Sequence, residues 1–481
     1  MSRGILAVSL AALALARGAS AGGPFMVLGA AEDNVRQPTL TATKAAFDLL
    51  RLTGLTAVRT SSIWAPGLSA PSRAERAQLE VLEGAAKLTG VRVFVHVMNA
   101  GSRTTPLSDD DQGDFASYSA AIARAFPTFR DFVIGNEPNL NRFWLPQYGP
   151  DGTNAASPAY TRLLARTYDA LKEVSPRINV IGGALAPRGS DNPAFARPTH
   201  SPTAFIFDMG VAYRASGRTE PIMDALGIHP YQDHSSLPPS FQHPNTSTIA
   251  IADYGKLVSI LGRAFDGTGQ RGSDLPVYYD EFGVESQIPP AKATLYSGTE
   301  PTTTRPVTEQ MQAQYYRDAL AIAFCQPNVR AFFFLHTVDE RPLDRWQSGL
   351  FYADESPKTS LTDAQGAVRA TRGGVIARCE GLELTPVARL TVRVRPGQRT
   401  IPSPTLRCDI DCTYRVRLEK LPSHATVAEQ FGKVLAGEAT KVAFRPRRVA
   451  PGRYRFTVRA LAPVNMGPAA RTVSVAFRLG D

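Results

Sequence analysis

Residues 132–139 read Phe-Val-Ile-Gly-Asn-Glu-Pro-Asn, and residues 277–283 read Val-Tyr-Tyr-Asp-Glu-Phe-Gly. In both stretches a short apolar run, typical of a strand that is buried on both faces, is closely followed by a glutamate. A carboxylate in this position is costly to desolvate unless it is paired or used, so Glu137 and Glu281 are candidate functional residues. The two lie 144 residues apart, which corresponds to three strand–helix units of about 48 residues.

The same alternation of apolar strand and amphipathic helix recurs through the first part of the chain. Eight apolar runs are predicted as strands: 25–29, 57–60, 91–98, 132–135, 180–183, 225–229, 277–279 and 331–335. Helical patterns separate them, among them 44–52, 75–88, 117–125, 160–174 and 308–323. Eight such units favour an α/β fold closed into a parallel (β/α)8 TIM barrel over an open sheet. Glu137 and Glu281 would then follow strands four and seven and face each other across the barrel mouth.

A change in charge and pattern predicts a second domain. Residues 386–481 contain 18 Lys and Arg against 6 Asp and Glu, whereas residues 1–385 contain 35 against 37. In the basic part, apolar residues alternate with Arg, Thr or Lys over 390–394, 414–418, 441–444, 454–460 and 473–479. This alternation is typical of antiparallel sheets with one face on a core. We therefore predict a barrel domain over 22–385 and a small all-β, immunoglobulin-like sandwich over 386–481.

The arginines of the sandwich are expected on its solvent-facing strand positions. Few aromatic residues are interleaved with them, so a nucleic-acid partner is not expected. Contact with a cell-wall polymer or another acidic polymer is the better functional alternative. A spacer or wall tether is a further possible role for this domain.

The N-terminus and the cysteines predict an exported protein. Arg3, the apolar small residues 4–16 and Ala19-Ser20-Ala21 match a signal peptide over residues 1–21. The apolar run is well short of the ~20 residues that a membrane span needs. Four cysteines in such a chain favour disulfides, with Cys408–Cys412 closing a small loop and Cys325–Cys379 as the second pair. A zinc site is the rival interpretation, which no Cys-x-x-Cys or paired His spacing supports.

In barrel enzymes the working residues follow the carboxyl ends of the strands. Besides the two glutamates, these ends supply the following candidates: Arg59, His96, Asn99, Asn136, His229, Tyr231 and His336. Three tryptophans, Trp64, Trp144 and Trp346, are expected in the loops after strands two, four and eight. An aromatic face there could stack on the apolar face of a sugar ring.

Two carboxyl groups across a pocket suit the cleavage of a glycosidic bond. One carboxyl must be protonated to donate to the leaving oxygen, and the other must be ionised. A separation of about 5–5.5 Å leads to retention of configuration, and a wider gap that holds a water leads to inversion. The sequence does not supply this distance.

The motif Gly135-Asn136-Glu137-Pro138-Asn139, followed by Phe143-Trp144 and paired with Glu281, resembles glycoside hydrolase clan A and most of all family 39 and its relatives. His229-x-Tyr231 resembles family 5, and the resemblance covers about residues 25–375. It implies a retaining β-glycosidase with a (β/α)8 barrel and no metal or organic cofactor.

The resemblance also implies roles for single residues. Glu137 matches the acid/base and Glu281 the nucleophile of the clan. Asn136 matches the asparagine that binds the sugar 2-hydroxyl, and Tyr231 the tyrosine that contacts the nucleophile. His229 resembles the polar residue beside that tyrosine. Arg59 resembles the arginine that keeps the nucleophile ionised, as a neighbouring cation does.

Strand eight departs from the clan pattern. Many members carry a tryptophan at its end, beneath the bound sugar, where this chain reads Phe333-Phe334-Leu335-His336-Thr337. Trp346 arrives ten residues after His336, in a stretch that resembles the loop that follows. The identity of the sugar is therefore left open.

The sequence thus predicts a secreted retaining glycoside hydrolase that acts on an oligo- or polysaccharide with β linkages. Two alternatives remain. One is a non-catalytic glycan-binding protein that has kept the barrel, which is hard to reconcile with both glutamates, Asn136 and Tyr231. The other is a transglycosylase that uses the same residues.

Overall fold

The computed structural model describes residues 22–380, 382, 384–445, 447–462 and 470–480. Its first part is a closed barrel of eight parallel strands in sequential order, which confirms the predicted fold class. The strands are β1 Val27–Ala31, β2 Ala57–Trp64, β3 Arg92–Asn99, β4 Asp131–Ile134, β5 Asn179–Leu185, β6 Ala225–Ile228, β7 Val277–Phe282 and β8 Val329–Leu335. The predicted signal peptide, residues 1–21, lies outside the described residues.

Eight α-helices surround the barrel, one after each strand. They are α1 Leu40–Leu52, α2 Arg73–Thr89, α3 Asp109–Ala125, α4 Ala156–Val174, α5 Pro202–Ala215, α6 Tyr254–Phe265, α7 Glu309–Phe324 and α8 Ser360–Gly373. Several begin at a Ser or Thr whose side chain accepts a backbone N–H, as Ser72 does for α2 and Thr308 for α7. Such caps satisfy donors that a helix leaves unpaired at its start.

The interior of the barrel is packed with side chains. Phe94, Val133, Ile181 and Phe333 pack together inside it. Gly29 is needed for this packing, because a Cβ there would come within 2.6 Å of the Phe333 ring. With its interior filled, the barrel can offer a binding site at its ends, where the loops rise above the strands.

The second part consists of two antiparallel sheets. The strands are β9 Ala388–Thr391, β10 Thr405–Cys408, β11 Cys412–Lys420, β12 Ala425–Val434, β13 Ala439–Lys441, β14 Gly452–Leu461 and β15 Ala470–Leu479. One sheet has the order β13-β10-β9 and the other β12-β11-β14-β15. Leu390 and Leu406 of the first sheet share a core with Val416 and Phe456 of the second. The predicted sandwich is confirmed, with β10 and β12 as strands that the sequence patterns did not reveal.

Both predicted disulfides are present. Cys325, at the end of α7, is bonded to Cys379, which follows α8. Cys408 is bonded to Cys412 across the turn between β10 and β11. Among the described residues, no helix combines the length and the apolar character that crossing a membrane requires.

Candidate active site

Glu137 lies on a strained turn directly after β4. Gly135 and Glu137 have φ angles of 76° and 40°, in the left-handed region that glycine tolerates and glutamate disfavours. The backbone N–H of Glu137 donates to the carbonyl of Ala184 on β5 at 2.9 Å, which fixes the turn against the neighbouring strand. Such a conformation costs about 1–3 kcal/mol in a residue other than glycine and is found most often at functional sites.

Two buried rings support this turn. Nε2 of His96 on β3 lies 2.9 Å from the Gly135 carbonyl oxygen, and the Tyr160 hydroxyl donates to the Ile134 carbonyl at 2.6 Å. A Cβ on Gly135 would lie 3.0 Å from the Tyr160 ring, so the close approach also favours glycine. Burial, followed by the positive charge of Arg59, lowers the pKa of His96 to about 3. The ring is therefore neutral at pH 7, and Nε2–H donates to the turn.

Glu281 lies on β7, and its carboxylate is close to that of Glu137. Its Oε2 accepts a hydrogen bond from the Tyr231 hydroxyl at 2.9 Å, and its Oε1 is ion-paired with the Arg59 guanidinium. The register of β7 against β8 is interrupted over residues 279–282, and such irregularities redirect side chains. Asp280 and Glu281 consequently both contact Arg59, although adjacent residues of a regular strand point to opposite faces.

His229 lies between the two glutamates. Its Nδ1 is 2.9 Å from Oε1 of Glu137 and 3.3 Å from Oε2 of Glu281. Because both oxygens lie so near one nitrogen, they are at most 6.2 Å apart, the sum of these two distances. The other ring nitrogen, Nε2, faces Oδ1 of Asp280 at 3.6 Å. His229 and Asp280 are both fully buried.

The carboxylates around His229 set its charge. Burial alone would lower the pKa of His229, but the negative charges of Glu281 and Asp280 outweigh burial and raise it to about 10. Burial would raise the pKa of Glu281, yet His229 and Arg59 hold it below its ordinary value. Burial and the Glu281 charge raise the pKa of Tyr231 well above 10. At neutral pH the site therefore holds an ionised Glu281, an imidazolium and a tyrosine hydroxyl that donates.

A cleft of about 630 Å³ opens beside these groups, a size typical of small-molecule sites. Glu137 and Tyr231 line it, and so does Trp346 from the loop after β8. The indole of Trp346 stacks on the Tyr231 ring, with centroids 4.9 Å apart and planes inclined by 23°. Charged side chains complete the walls: Arg188, Asp233, Glu285, Asp344 and Arg345.

The other two tryptophans do not reach the cleft. β2 extends through Trp64, whose fully buried indole packs on Phe115 and donates to the Leu68 carbonyl at 2.8 Å. Trp144 is also buried, with its ring edge-on to that of Tyr160. A fully buried indole offers no free face to a ligand. The expectation that Trp64 and Trp144 stack on a sugar is therefore corrected, and both are core residues.

Asn99 links the loop after β3 to the loop after β4 through hydrogen bonds. It is buried at the end of β3, and its Nδ2 donates to the carbonyls of Gly101 at 2.7 Å and Phe143 at 3.0 Å. This places Asn99 and His96 as supports rather than as lining residues. Asn136, between Gly135 and Glu137 in the strained turn, remains partly exposed.

His336 follows β8, and its ring nitrogens face other carboxylates than those of Glu137 and Glu281. Its Nδ1 lies 3.6 Å from Glu32, and its Nε2 lies 3.7 Å from Glu340. Burial would lower its pKa, but these carboxylates raise it to about 10. Glu32 also accepts the backbone N–H of Thr337 at 2.8 Å. His336 and Glu32 thus join the loops that follow β1 and β8.

Two residues of the site were not assigned a role from the sequence. Asp280 stands beside Glu281 in the chain, and two acids in a row at the end of a buried strand were the available signal. Arg188 follows β5, lines the cleft, donates to the Gln232 carbonyl at 3.2 Å and pairs with Asp233 at 3.4 Å. No polar motif at the end of β5 pointed to it.

No protein-family model matches the chain, and no curated protein sequence matches it. Solved structures resemble it at low sequence identity. The GH39 enzyme from Xanthomonas axonopodis pv. citri is 15% identical, with a TM-score of 0.47, over 96% of this chain and 94% of that one. GH5_18 from Streptomyces cattleya, solved in complex with GlcNAc, is 17% identical, with a TM-score of 0.48, over 73% and 81%.

A third similar structure is larger. β-Glucuronidase 2 from Bacteroides uniformis is 13% identical, with a TM-score of 0.45, over 95% of this chain and 46% of that one. This chain therefore spans about half the length of that protein.

Proposed function

We propose that this chain is a retaining glycoside hydrolase, with Glu281 as the nucleophile and Glu137 as the general acid/base. The observation that carries the proposal is the shared contact with His229, which limits the two carboxylate oxygens to a separation of 6.2 Å. Retaining enzymes hold their carboxyl groups about 5–5.5 Å apart, and inverting enzymes about 6.5–9.5 Å apart. The limit of 6.2 Å applies to the two oxygens that face His229, and so short a span favours the closer spacing of retaining enzymes.

The surroundings of each carboxyl support its role. A nucleophile must be ionised before it attacks, and Arg59 and His229 hold the pKa of Glu281 below its ordinary value. Tyr231, which lines the cleft, donates its hydroxyl to one oxygen of Glu281 and so orients that carboxylate. Glu137 lines the cleft directly, where it can reach the oxygen that links two sugars.

The reaction would proceed in two displacements. In the first, a Glu281 oxygen bonds to the anomeric carbon, the bond to the leaving oxygen breaks, and Glu137 gives that oxygen its proton. In the second, Glu137 takes a proton from water, the water oxygen bonds to the anomeric carbon, and Glu281 is released.

His229 would serve both steps. Glu281 is ionised before the first displacement, and Glu137 becomes ionised after it. The N–H at Nδ1 lies within reach of both carboxylates, so it can donate to whichever one is charged. A fixed donor aimed at developing charge is an effective form of stabilisation in a buried site.

The cleft supports a carbohydrate as the substrate. The stacked pair of Trp346 and Tyr231 offers an aromatic surface beside the glutamates, and aromatic faces pack well on the C–H groups of sugar rings. Polar walls suit hydroxyl groups. We infer a β-linked oligo- or polysaccharide as the substrate class.

We also infer that the chain acts outside the cell. The two disulfides are of the kind that persist in oxidising compartments. The signal-peptide pattern of residues 1–21 gives a route there. Edman sequencing of the protein recovered from culture medium should begin at or near Gly22; recovery of the full chain only from the cytoplasm would refute export.

The proposed function is tested by trapping with a panel of activated 2-fluoroglycosides, followed by mass mapping of the labelled peptide. We expect a covalent sugar on Glu281 and no labelling in the Glu281→Gln variant. The matched control is Glu285→Gln, which changes a glutamate of the cleft wall and should still be labelled. Label on any other residue would overturn the assignment of the nucleophile.

The two alternatives give different results. A folded protein that binds glycans but neither hydrolyses nor is labelled by any member of the panel would be a non-catalytic binding protein, and the proposal would fail. Longer oligosaccharides as the main product at high substrate concentration would show a transglycosylase. Hydrolysis products with the β configuration, observed by NMR at early times, would support the proposal.

A further inference from the structure

The four-stranded sheet of the sandwich has one strongly basic face. Along β11 and β14, Tyr414, Val416, Phe456 and Val458 point into the sandwich core, so the residues between them point outward. We call this outward surface the basic face. Its cationic side chains include Arg415, Arg417, Lys433, Arg453, Arg455 and Arg459.

On the basic face, two pairs of arginines occupy directly opposite positions on neighbouring strands. Arg415 on β11 is directly opposite Arg459 on β14, and Arg453 on β14 is directly opposite Arg478 on β15. Opposite residues of antiparallel strands have Cβ atoms about 4.5–5.5 Å apart, and like charges there are destabilising. Thr457 opposite Ser474 shows that neutral residues also fit this surface. The two arginine pairs therefore concentrate positive charge on this surface.

Among the described residues, acidic side chains are fewer than cations on the basic face, although Lys433 also lies 3.5 Å from Asp411. Glu429 contacts both Arg415 and Arg417, with its carboxylate 2.7 Å from Nε of Arg417, so one carboxylate serves two guanidinium groups. Glu419 lies opposite Arg455. The side chains of Arg415 and Arg417 are 40% and 41% exposed even in these pairs, which leaves their guanidinium groups accessible to a ligand.

An exposed aromatic ring adjoins the cations. Phe431 on the edge strand β12 is 65% exposed, and the guanidinium of Arg415 lies 5.5 Å from its ring centroid. A large apolar side chain in water beside a cluster of arginines suits a ligand with both apolar faces and negative charges. A sugar ring that carries a carboxylate has both, since arginine pairs with carboxylates through two parallel hydrogen bonds.

We propose that the basic face binds an acidic polysaccharide, one whose sugar rings carry carboxylate groups. The charge distribution favours this partner, because the basic surplus lies in residues 386–481 while residues 1–385 are slightly acidic. A single-stranded nucleic acid is a less suitable ligand. Proteins that bind one stack successive bases on several aromatic side chains, and Phe431 is the one aromatic side chain on the described part of the basic face. The basic face would hold a polymer independently of the chemistry at the barrel.

The test uses the full chain and two probes with the same backbone. Polygalacturonate carries a carboxylate on each ring, and its fully methyl-esterified form does not. We expect binding of polygalacturonate that weakens as salt is raised, and at least tenfold weaker binding of the ester. Equal binding of both polymers, or tighter binding of single-stranded DNA than of polygalacturonate, would overturn the proposal.

Two variants and a control locate the site. Arg415→Gln with Arg459→Gln removes one arginine pair and should weaken binding of polygalacturonate at least about fivefold and reduce its salt dependence. Arg393→Gln with Arg399→Gln makes the same change of charge at exposed positions outside this sheet and should change binding less than about twofold. Equal effects of the two double variants would show a general charge effect and refute the basic face as the site.

The contribution of the Phe431 ring to binding can be measured separately from the contribution of the charges. Phe431→Ala should weaken binding while the salt dependence stays that of the wild type, because no charge is removed. Thermal unfolding of each variant serves to show that the sandwich is folded. Turnover of a small glycoside by the barrel should be unchanged in all of them, so a failure of the proposed hydrolysis and a failure of polymer binding are observed separately.

Discussion

Asp280 and His229 are buried neighbours, with Oδ1 of the acid 3.6 Å from Nε2 of the imidazole. The other nitrogen of the same ring lies 2.9 Å from Glu137 and 3.3 Å from Glu281. Asp280 is not among the residues that line the cleft, but it contributes to the positive charge of the ring that bridges the two glutamates. It is therefore a positioning residue, and its effect should be visible in a pH profile.

Asp280→Asn should shift the pH dependence of the reaction. Asp280 is one of the carboxylates that raise the pKa of His229 to about 10, so its removal lowers that pKa. His229 then loses its proton at lower pH, and the alkaline fall of the 2-fluoroglycoside trapping rate moves to lower pH. A rate that is reduced equally at every pH would indicate a structural role alone.

Tyr231→Phe should slow catalysis more than it affects stability. The hydroxyl donates to the charged Glu281 at 2.9 Å, and a hydrogen bond to a charged group contributes roughly 1.5–3 kcal/mol. We expect kcat to fall by about 10- to 100-fold. The control is Tyr279→Phe, which removes a buried hydroxyl that donates to Gln326 and should leave kcat within a factor of two.

Trp346→Ala and Trp64→Phe should affect different quantities. Trp346 lines the cleft, so its loss should raise KM by about tenfold with little change in the free energy of unfolding. Trp64 lies in the core, and Trp64→Phe should cost about 1–3 kcal/mol of stability with KM unchanged. A raised KM in the folded Trp64 variant would contradict its placement in the core.

The contribution of His229 to stability should decline with rising pH. Its pKa is raised from about 6.5 to about 10 on folding, so the folded state binds the proton more tightly than the unfolded state. The resulting stabilisation is complete below pH ~6.5 and is lost as pH rises towards 10. The difference in Tm between wild type and His229→Gln should therefore shrink between pH 6.5 and pH 10; a constant difference would argue against the raised pKa.

The two disulfides should differ in their effect on stability. Cys325–Cys379 closes a loop of 54 residues and Cys408–Cys412 one of 4. In the chain-entropy account the loss is about 4 kcal/mol for the longer loop and about 2 kcal/mol for the shorter. Chemical denaturation of the paired Cys→Ser variants measures both, and a larger loss for the short loop would contradict this ranking.

Local patterns in the sequence were enough to predict the fold and the pair of glutamates. Short apolar runs at regular intervals can be buried on both faces only in a parallel sheet covered by helices, and each of the eight runs became a barrel strand. Strand ends of a barrel meet at one mouth, so Glu137 and Glu281 had to come close. β12 was not predicted, because it is an edge strand with few buried residues. Its sequence therefore lacks the alternation of apolar and polar residues by which a strand is recognised.

The neighbours that each side chain contacts could not be predicted from these local patterns. Trp64 and Trp346 are both near strand ends in sequence, yet the first is buried under a helix and the second returns to the cleft. Asp280 gained its contacts through an irregularity in β7 that no local pattern encodes. Both glutamates meet at His229, which is 92 residues from Glu137 in the chain. The distance between two residues that are far apart in the chain is set by tertiary packing. The periodicity of strands and helices, in contrast, depends on residues that are close together in the sequence.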